Sequence, residues 1–497
     1  MALKAALIKP FAHFMAARQK RWAANPLPTQ AAVFSTLVQK GSNSAFGTEH
    51  KLAQISNHAE FAEAIPLRDY EGFLPYIERI KQGQHDVLWP GRPLYFAKTS
   101  GTTSGTKYIP ITKDSAPNHV NSAVNSVLSY ISETGSGRVM DHQILYLSGS
   151  PELEREGDIL VGRLSGIVNH HIPLYLQRNK MPSVKTNTID DWEQKVDAIV
   201  DETLKRSLGL ISGIPPWVQM YFDKIVERTG KRVMDVFPHF NLLVYGGVNF
   251  EPYAKRLFDT IGRRVDTIET YPASEGFLAY QDSQKHEGML LLLDSGIYYE
   301  FVTLEELDKP GPKRLPLAEV SLGVNYAIVI NSNAGLWGYV LGDTVRFVSL
   351  RPYRIVVTGR TKHFISAFGE HVISEEVDKA LANAMLYHPE VKVTEYSVAP
   401  NVSPKDGLPR HEWFIEFSQP PANMPAFERR LDEQMCKVNS YYNDLVSGRV
   451  LEPLQIIQLR QGAFIDYMKR IGKLGGQNKV PRLANNRNLA VQLMEWA

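Results

Sequence analysis

The chain has 497 residues, 43% hydrophobic and 22% charged, values of an ordinary globular protein that exclude whole-chain disorder and fibrous architecture. Lys and Arg total 55 against 53 Asp and Glu, a net charge of +2, so no basic excess points to nucleic acid. The one cysteine, Cys436, can build neither an internal disulfide nor a thiolate zinc site, which fits a reducing cytoplasm.

In chain order, the first 48 residues carry no Asp or Glu but include Lys4, Lys9, Arg18, Lys20, Arg21 and Lys40. We read a helix packed on the body of the protein, against the alternatives of a transit peptide or a membrane-surface helix that the same composition allows. There is no long apolar h-region and no signal cleavage pattern, which argues against secretion. His142–Leu147 reads as a buried strand. Val196, Ile199, Val200, Leu204 and Leu208 lie at helical spacing, so a helix closed by Gly209 is expected. A second helix is expected over Trp217–Val226, with Pro215-Pro216 at its entrance. Phe240–Tyr245 is a short apolar run leading into Gly246-Gly247, and this alternation argues for an α/β fold.

The texture then becomes β-rich. Met289–Leu293 and Ile297–Val302, separated by Asp294-Ser295-Gly296, read as a hairpin. Tyr326–Ile330 is expected to pair with Leu336–Leu341, and Val345–Leu350 with Ile355–Val357 across Arg351-Pro352. The uncharged run Val320–Gly342 is therefore two strands around a turn, and its asparagines would be costly in lipid; no membrane span is expected. Three hairpins suggest an antiparallel sheet or small barrel beside the α/β sheet. A helix capped by Ser374, strands at Val391–Val398, Glu412–Phe417 and Gln455–Leu459, and helices at Ala426–Val446 and Phe464–Arg470 complete a smaller α+β unit. The expected organisation is a large N-terminal domain, 1–358, and a small mobile C-terminal α+β domain, 359–497.

Several motifs could carry chemistry. Thr99-Ser100-Gly101-Thr102-Thr103-Ser104-Gly105-Thr106-Lys107 combines two glycines, six hydroxyl residues and a lysine, a donor density that suits a polyphosphate. It lacks the spacing of a Walker A loop, and by itself it also fits a flexible surface loop. Tyr271-Pro272-Ala273-Ser274-Glu275-Gly276 follows an expected strand; the ring could stack on a base and Glu275 could hold a metal-bound phosphate. Tyr339-Val340-Leu341-Gly342-Asp343 puts a carboxylate where it could accept ribose hydroxyls, although Gly-Asp is also ordinary turn chemistry. His170-His171 is read as structural, since neighbouring residues of a strand point to opposite faces and no third ligand is near.

The order of these motifs, followed by Gly359-Arg360-Thr361-Lys362, resembles the adenylate-forming superfamily. Within it the chain is most similar to the auxin-responsive acyl acid amido synthetases of plants and their bacterial relatives. Tyr271 to Glu275 resembles that branch's Tyr-Ala-Ser-Ser-Glu, and Tyr339 to Asp343 its Tyr-Arg-Leu-Gly-Asp. Gly475-Gly476-Gln477-Asn478-Lys479-Val480-Pro481-Arg482 resembles its C-terminal Asn-Gln-Tyr-Lys-x-Pro-Arg signature.

The resemblance implies an ATP- and Mg²⁺-dependent ligase that activates a carboxylic acid as an acyl-adenylate and passes it to an amino acid amine. By the same resemblance Ser100, Gly101, Thr102, Thr103, Ser104 and Lys107 would hold the ATP phosphates. Tyr271 and Ser274 would belong to the nucleotide site, with Gly246-Gly247 opposite. Glu275 would help bind magnesium, Asp343 and Arg360 would hold the ribose, and Lys479 would act at the reacting carboxylate. Lys362 or its neighbour would be the hinge between the domains. Lys473, in Gly472-Lys473, matches the Gly-Lys of the wider superfamily, so two lysines compete for the catalytic role. An acid–CoA ligase using the same first step is the alternative enzyme, and a non-enzymatic nucleotide-binding or membrane-surface protein is an alternative of another class.

Overall fold

The computed structural model describes residues 2–100, 106–172, 177–189, 191–247, 250–307, 309–361, 372–402, 404, 406–447, 451–475, 478–484 and 487–497. The chain divides into two compact units. The first comprises Met1–Gly213, Asp235–Gly247 and Val265–Val356; the second comprises Ile214–Met234, Val248–Arg264 and Val357–Ala497.

The first unit is built on a mixed sheet of twelve strands. At one end Lys180–Met181, Gln143–Tyr146, Leu208–Ser212, Leu242–Gly246 and Asp266–Ala273 run parallel. The central pair, Leu208–Ser212 and Leu242–Gly246, are short buried apolar runs, as strands covered on both faces must be. Gly276–Tyr280 and Met289–Leu291 then pair antiparallel, followed by Tyr353–Arg360, Tyr339–Leu350, Asn325–Ser332, Ile297–Thr303 and Leu315–Pro316. The antiparallel strands therefore extend the parallel ones in one sheet instead of forming a separate sheet or barrel. A smaller sheet of four strands contains Thr106–Ile111, Tyr95–Ser100, Ile159–Gly162 and Glu154–Glu156 in that order.

Several local expectations differ from what is observed. The strands at 289–291 and 297–303 are consecutive but unpaired, each finding other neighbours. The helix expected to run to Gly209 ends at Thr203, and Leu208–Ser212 is a strand. Gly209 closes no helix: a Cβ there would stand 2.7 Å from the Val139 carbonyl oxygen, so close backbone approach requires a glycine. Ser374 is the first residue of its helix and not the cap, and the Ile373 amide is held by the Glu376 carboxylate at 3.0 Å.

The N-terminal helix Ala2–Ala23 packs against the helix Ala116–Thr134, as expected, with Ala12 buried among Leu128, Ile131 and Val139. Gln19 fixes it, accepting hydrogen bonds from Ser129 and Tyr280 at 2.7 and 2.8 Å. Among the described residues no helix is long and apolar enough to cross a membrane.

The second unit has a sheet of Lys392–Asn401, Arg410–Gln419 and Gln455–Leu459, covered by the helices Ser374–Tyr387 and Met424–Val438. Its core is built from Val377, Leu381, Tyr396, Trp413, Phe427 and Leu431. The helix expected over 426–446 is broken at Asn439, whose side-chain oxygen accepts the Tyr442 amide at 2.7 Å and starts a second helix, Ser440–Ser447.

Candidate active site

In the first unit the pairing of Ala273 with Gly276 leaves Ser274-Glu275 as the two-residue turn of a hairpin. Tyr271 still lies in the strand before it. Its hydroxyl donates to Asp343 Oδ2 at 2.7 Å, joining two of the sequence motifs directly. Asp343 sits within a strand and not at its end, in a bulge where the residues between Val340 and Thr344 oppose Ile328 alone. Gly342, with φ +88°, supplies the left-handed backbone that this irregularity needs.

A second bond runs parallel in logic. The Tyr339 hydroxyl donates to Glu275 Oε1 at 2.9 Å. The backbone of Tyr339 is itself clamped, since the Arg68 amide donates to Gly338 and the Arg68 carbonyl accepts from Val340. Burial pushes the Glu275 carboxyl above its ordinary pKa, opposed by the Tyr339 hydroxyl and the Lys107 ammonium and assisted by the Asp343 charge. Glu275 thus feels both Lys107 and Asp343. The Lys107 ammonium stands 5.6 Å from the centre of the Tyr70 ring, whose hydroxyl accepts the Tyr108 amide at 2.8 Å.

Ser274 is buried in the turn. Gly246 ends its strand opposite Thr270, and a Cβ there would lie 2.4 Å from the Thr270 carbonyl oxygen. The close approach of these two strands accounts for that glycine. Gly247, at φ +85°, turns the chain immediately afterwards. Ser100 ends one strand of a hairpin and pairs with Thr106, which begins the other. Gly101, Thr102, Thr103 and Ser104 lie outside the described residues, as do Gly105 and Lys362.

Glu269 escaped the sequence reading. It sits two residues before Tyr271 and pairs in register with Tyr245. Burial pushes its carboxyl up to about 7 and the Tyr245 phenol well above its usual range. An acidic residue between Ile268 and Tyr271, both buried, was the available signal.

Arg360 and Lys479 belong to the second unit. Arg360 ends the strand Tyr353–Arg360, and both side chains are exposed. The segment carrying Lys479 is anchored three residues on by Arg482. That guanidinium is buried, donating to Glu395 at 2.9 Å, to the Tyr396 carbonyl at 2.5 Å and to the Tyr253 hydroxyl at 2.8 Å. It also pairs with Asp378 at 3.2 Å and lies 3.7 Å from the centre of the Tyr396 ring. Ser397 holds the Pro481 carbonyl, and Leu483 bridges Val398. None of these partners of Arg482 was visible in the motif. Lys473, by contrast, is an exposed residue just beyond the helix Ala463–Arg470, its amide bonded to the Met468 carbonyl.

His170 and His171 close a helix instead of lying on a strand, and they bond to the Pro151 carbonyl and the Tyr95 hydroxyl. Among the described residues no three His, Cys, Asp or Glu side chains converge as a metal site.

Residues 16–189, 290–360 and 375–488 match the N-terminal, central and C-terminal domains of the GH3 family, together well over half of the chain. The chain belongs to the GH3 family and is an amide-forming ligase. It is 21% identical to the jasmonoyl–L-amino acid synthetase JAR4 of Nicotiana attenuata, over 93% of this chain and 92% of that protein. It is 20% identical to the indole-3-acetic acid-amido synthetase GH3.3 of Arabidopsis thaliana, over 91% and 88%. Its fold resembles the GH3.15 acyl acid amido synthetase, with a TM-score of 0.78 at 14% identity over 96% of both chains. It also resembles a 2-hydroxyisobutyryl-CoA ligase in the postadenylation state, with a TM-score of 0.62 at 12% identity over 93% and 92%.

Proposed function

We propose that the enzyme activates a small carboxylic acid with ATP, releasing pyrophosphate, and transfers the acyl group from AMP to the amine of an amino acid. The observation that carries this reading is the pair of contacts Tyr271–Asp343 and Tyr339–Glu275 beside Lys107. A carboxylate is a poor acyl donor because its leaving group would be oxide. Attack of a carboxylate oxygen on the α-phosphorus of ATP, with departure of pyrophosphate, replaces oxide by AMP. The amine nitrogen then attacks the acyl carbon, the bond to AMP breaks with its electron pair leaving on the phosphate oxygen, and the nitrogen gives up a proton to solvent. Such chemistry needs charge stabilisation on the phosphates more than a nucleophilic side chain.

In this reading Ser100 to Lys107 hold the phosphates, Tyr271 and Ser274 line the nucleotide site with Gly246-Gly247, and Asp343 and Arg360 hold the ribose. Lys479 orients the reacting carboxylate. Glu275 fits a magnesium ion, being a hard oxygen donor whose ionisation burial resists and a nearby cation assists. Magnesium, when bound, would neutralise phosphate charge. Tyr339 holds the Glu275 carboxylate in one orientation. Residues 1–358 would form the adenylation domain and 359–497 a mobile lid, in a cytoplasmic enzyme. A pyrophosphate-exchange screen over aryl, indolyl and fatty acids, repeated with amino acids and with CoA as acceptors, tests the proposal. Exchange with an acid followed by amide formation is expected. Thioester formation without amide, or no exchange with any acid, overturns it.

A further inference from the structure

The helix Ala2–Ala23 presents two faces of different character. Ile8, Ala12, Met15, Gln19 and Trp22 recur at alternating spacings of four and three residues and turn inward. Ala12 is buried, Ile8 and Met15 pack against the cluster of Leu128, Ile131 and Val139, and Trp22 packs against Phe277 and Leu292. Phe11, Phe14, Arg18 and Arg21 repeat the same spacing and form a second stripe that is exposed along its length. Phe11 is 46% and Phe14 66% exposed, and no other phenylalanine is exposed among the described residues. Phenylalanine is among the residues most often buried, so an exposed pair on one stripe is the informative exception.

The charge of this helix has one sign. No Asp or Glu occurs in the first 48 residues. Arg18 and Arg21 lie in the exposed stripe, and Lys9 and Lys20 are exposed beside it. Arg18 reaches a carboxylate only loosely, Asp294 at 4.0 Å, and the other three have no carboxylate partner among the described residues. The excess is local, since the whole chain carries only +2. Exposed aromatic rings among unneutralised cations, on the convex side of a helix, complement the anionic surface of a lipid bilayer. The headgroup boundary accepts aromatic rings and anionic lipids supply the opposite charge, without the shaped pocket that a folded partner would have to bring.

We propose that the helix Ala2–Ala23 docks the enzyme reversibly on an anionic lipid surface. Phe11 and Phe14 enter the headgroup boundary, while Arg18, Arg21, Lys9 and Lys20 meet lipid phosphates and carboxylates. Packing on the body and docking on lipid use different faces, so the helix keeps its contacts with the helix Ala116–Thr134 while it binds. It lies along the surface and does not cross it. A single short stripe gives weak binding that salt reverses.

The test sediments the full chain with phosphatidylcholine vesicles, with and without about 30% phosphatidylserine. Binding to the anionic vesicles should be at least about tenfold tighter, and raising the salt from about 0.05 M to about 0.5 M should remove most of that preference. Phe11→Ser with Phe14→Ser, and separately Arg18→Gln with Arg21→Gln, should each weaken binding to anionic vesicles at least about fivefold. Both variants should keep a thermal unfolding midpoint within about 2 °C of the parent, because the stripe packs against nothing. Phe14→Ser alone, at the more exposed position, replaces the pair if the double variant misfolds. Equal binding to both kinds of vesicle, no binding at low salt, or full binding by either folded variant would overturn the inference. So would self-association of the lipid-free parent that the phenylalanine substitutions abolish, which would assign the stripe to a second copy of the chain.

Discussion

Asp343 receives the Tyr271 hydroxyl at 2.7 Å, so its carboxylate orients that ring, and in the proposed function it is also the charged acceptor for the ribose. Removing a charged hydrogen-bond partner costs about 1.5–3 kcal/mol. Asp343→Ala should therefore raise the KM for ATP in pyrophosphate exchange by about ten- to a hundredfold while the thermal unfolding profile keeps its shape. An unchanged KM in a folded variant would take Asp343 out of the nucleotide site. Glu269 makes a prediction of a different kind. Its carboxyl is raised from 4.5 to about 7 by burial, so ionisation opposes folding. The stability associated with the protonated form is fully present below pH 4.5 and is lost as pH rises through about 7. The loss is at most about 3 kcal/mol. Glu269→Gln should flatten the decline of the apparent Tm between pH 5 and 8 and make the variant more stable than the parent at pH 8. A parallel decline in both proteins would show that Glu269 is not the group responsible.

At the scale of elements, register decides which residues meet. Gly246 faces Thr270 across two parallel strands with no room for a methyl group, since a Cβ would stand 2.4 Å from a backbone oxygen. Overpacking against backbone has no flexible side chain to yield. Gly246→Ala should cost about 1–3 kcal/mol and lower the apparent Tm in calorimetry by several degrees. An unshifted Tm would mean that the strands separate without cost. The helices Pro215–Thr229 and Ala463–Arg470 and the hairpin 326–341 were legible from spacing and turn residues, because local propensity and tertiary packing agree there. The strands at 289–291 and 297–303 were legible as strands but not in their pairing. Both are buried along almost their whole length, so no alternation marks a face or a partner. Leu208 matched a helical period by coincidence, the apolar run of a buried parallel strand being indistinguishable from a helix face over so few residues.

Across the whole molecule the motifs are shared between the two units, and this is where a linear reading reaches its limit. The order of the motifs carried the family, and two of those motifs meet directly in the Tyr271–Asp343 contact. Spacing could not reveal that Arg482 is the buried anchor of the lysine-bearing segment, because Tyr253, Asp378, Glu395 and Tyr396 come from distant parts of the chain. That anchor separates the two lysines. Lys479 lies three residues from a guanidinium bonded on several sides, whereas Lys473 is exposed beyond a helix end and its amide merely completes the turn. If Lys479 stabilises the extra negative charge on the α-phosphorus during attack, its effect falls on the rate and not on ATP binding. Lys479→Ala should then lower kcat for pyrophosphate exchange by about 10²–10³ with little change in the KM for ATP, while a pre-formed acyl-adenylate is still consumed by the amine. Lys473→Ala should change neither quantity by more than about twofold, as for an exposed lysine just beyond a helix end. Loss of exchange in the Lys473 variant and retention in the Lys479 variant would move the catalytic role to the helix end.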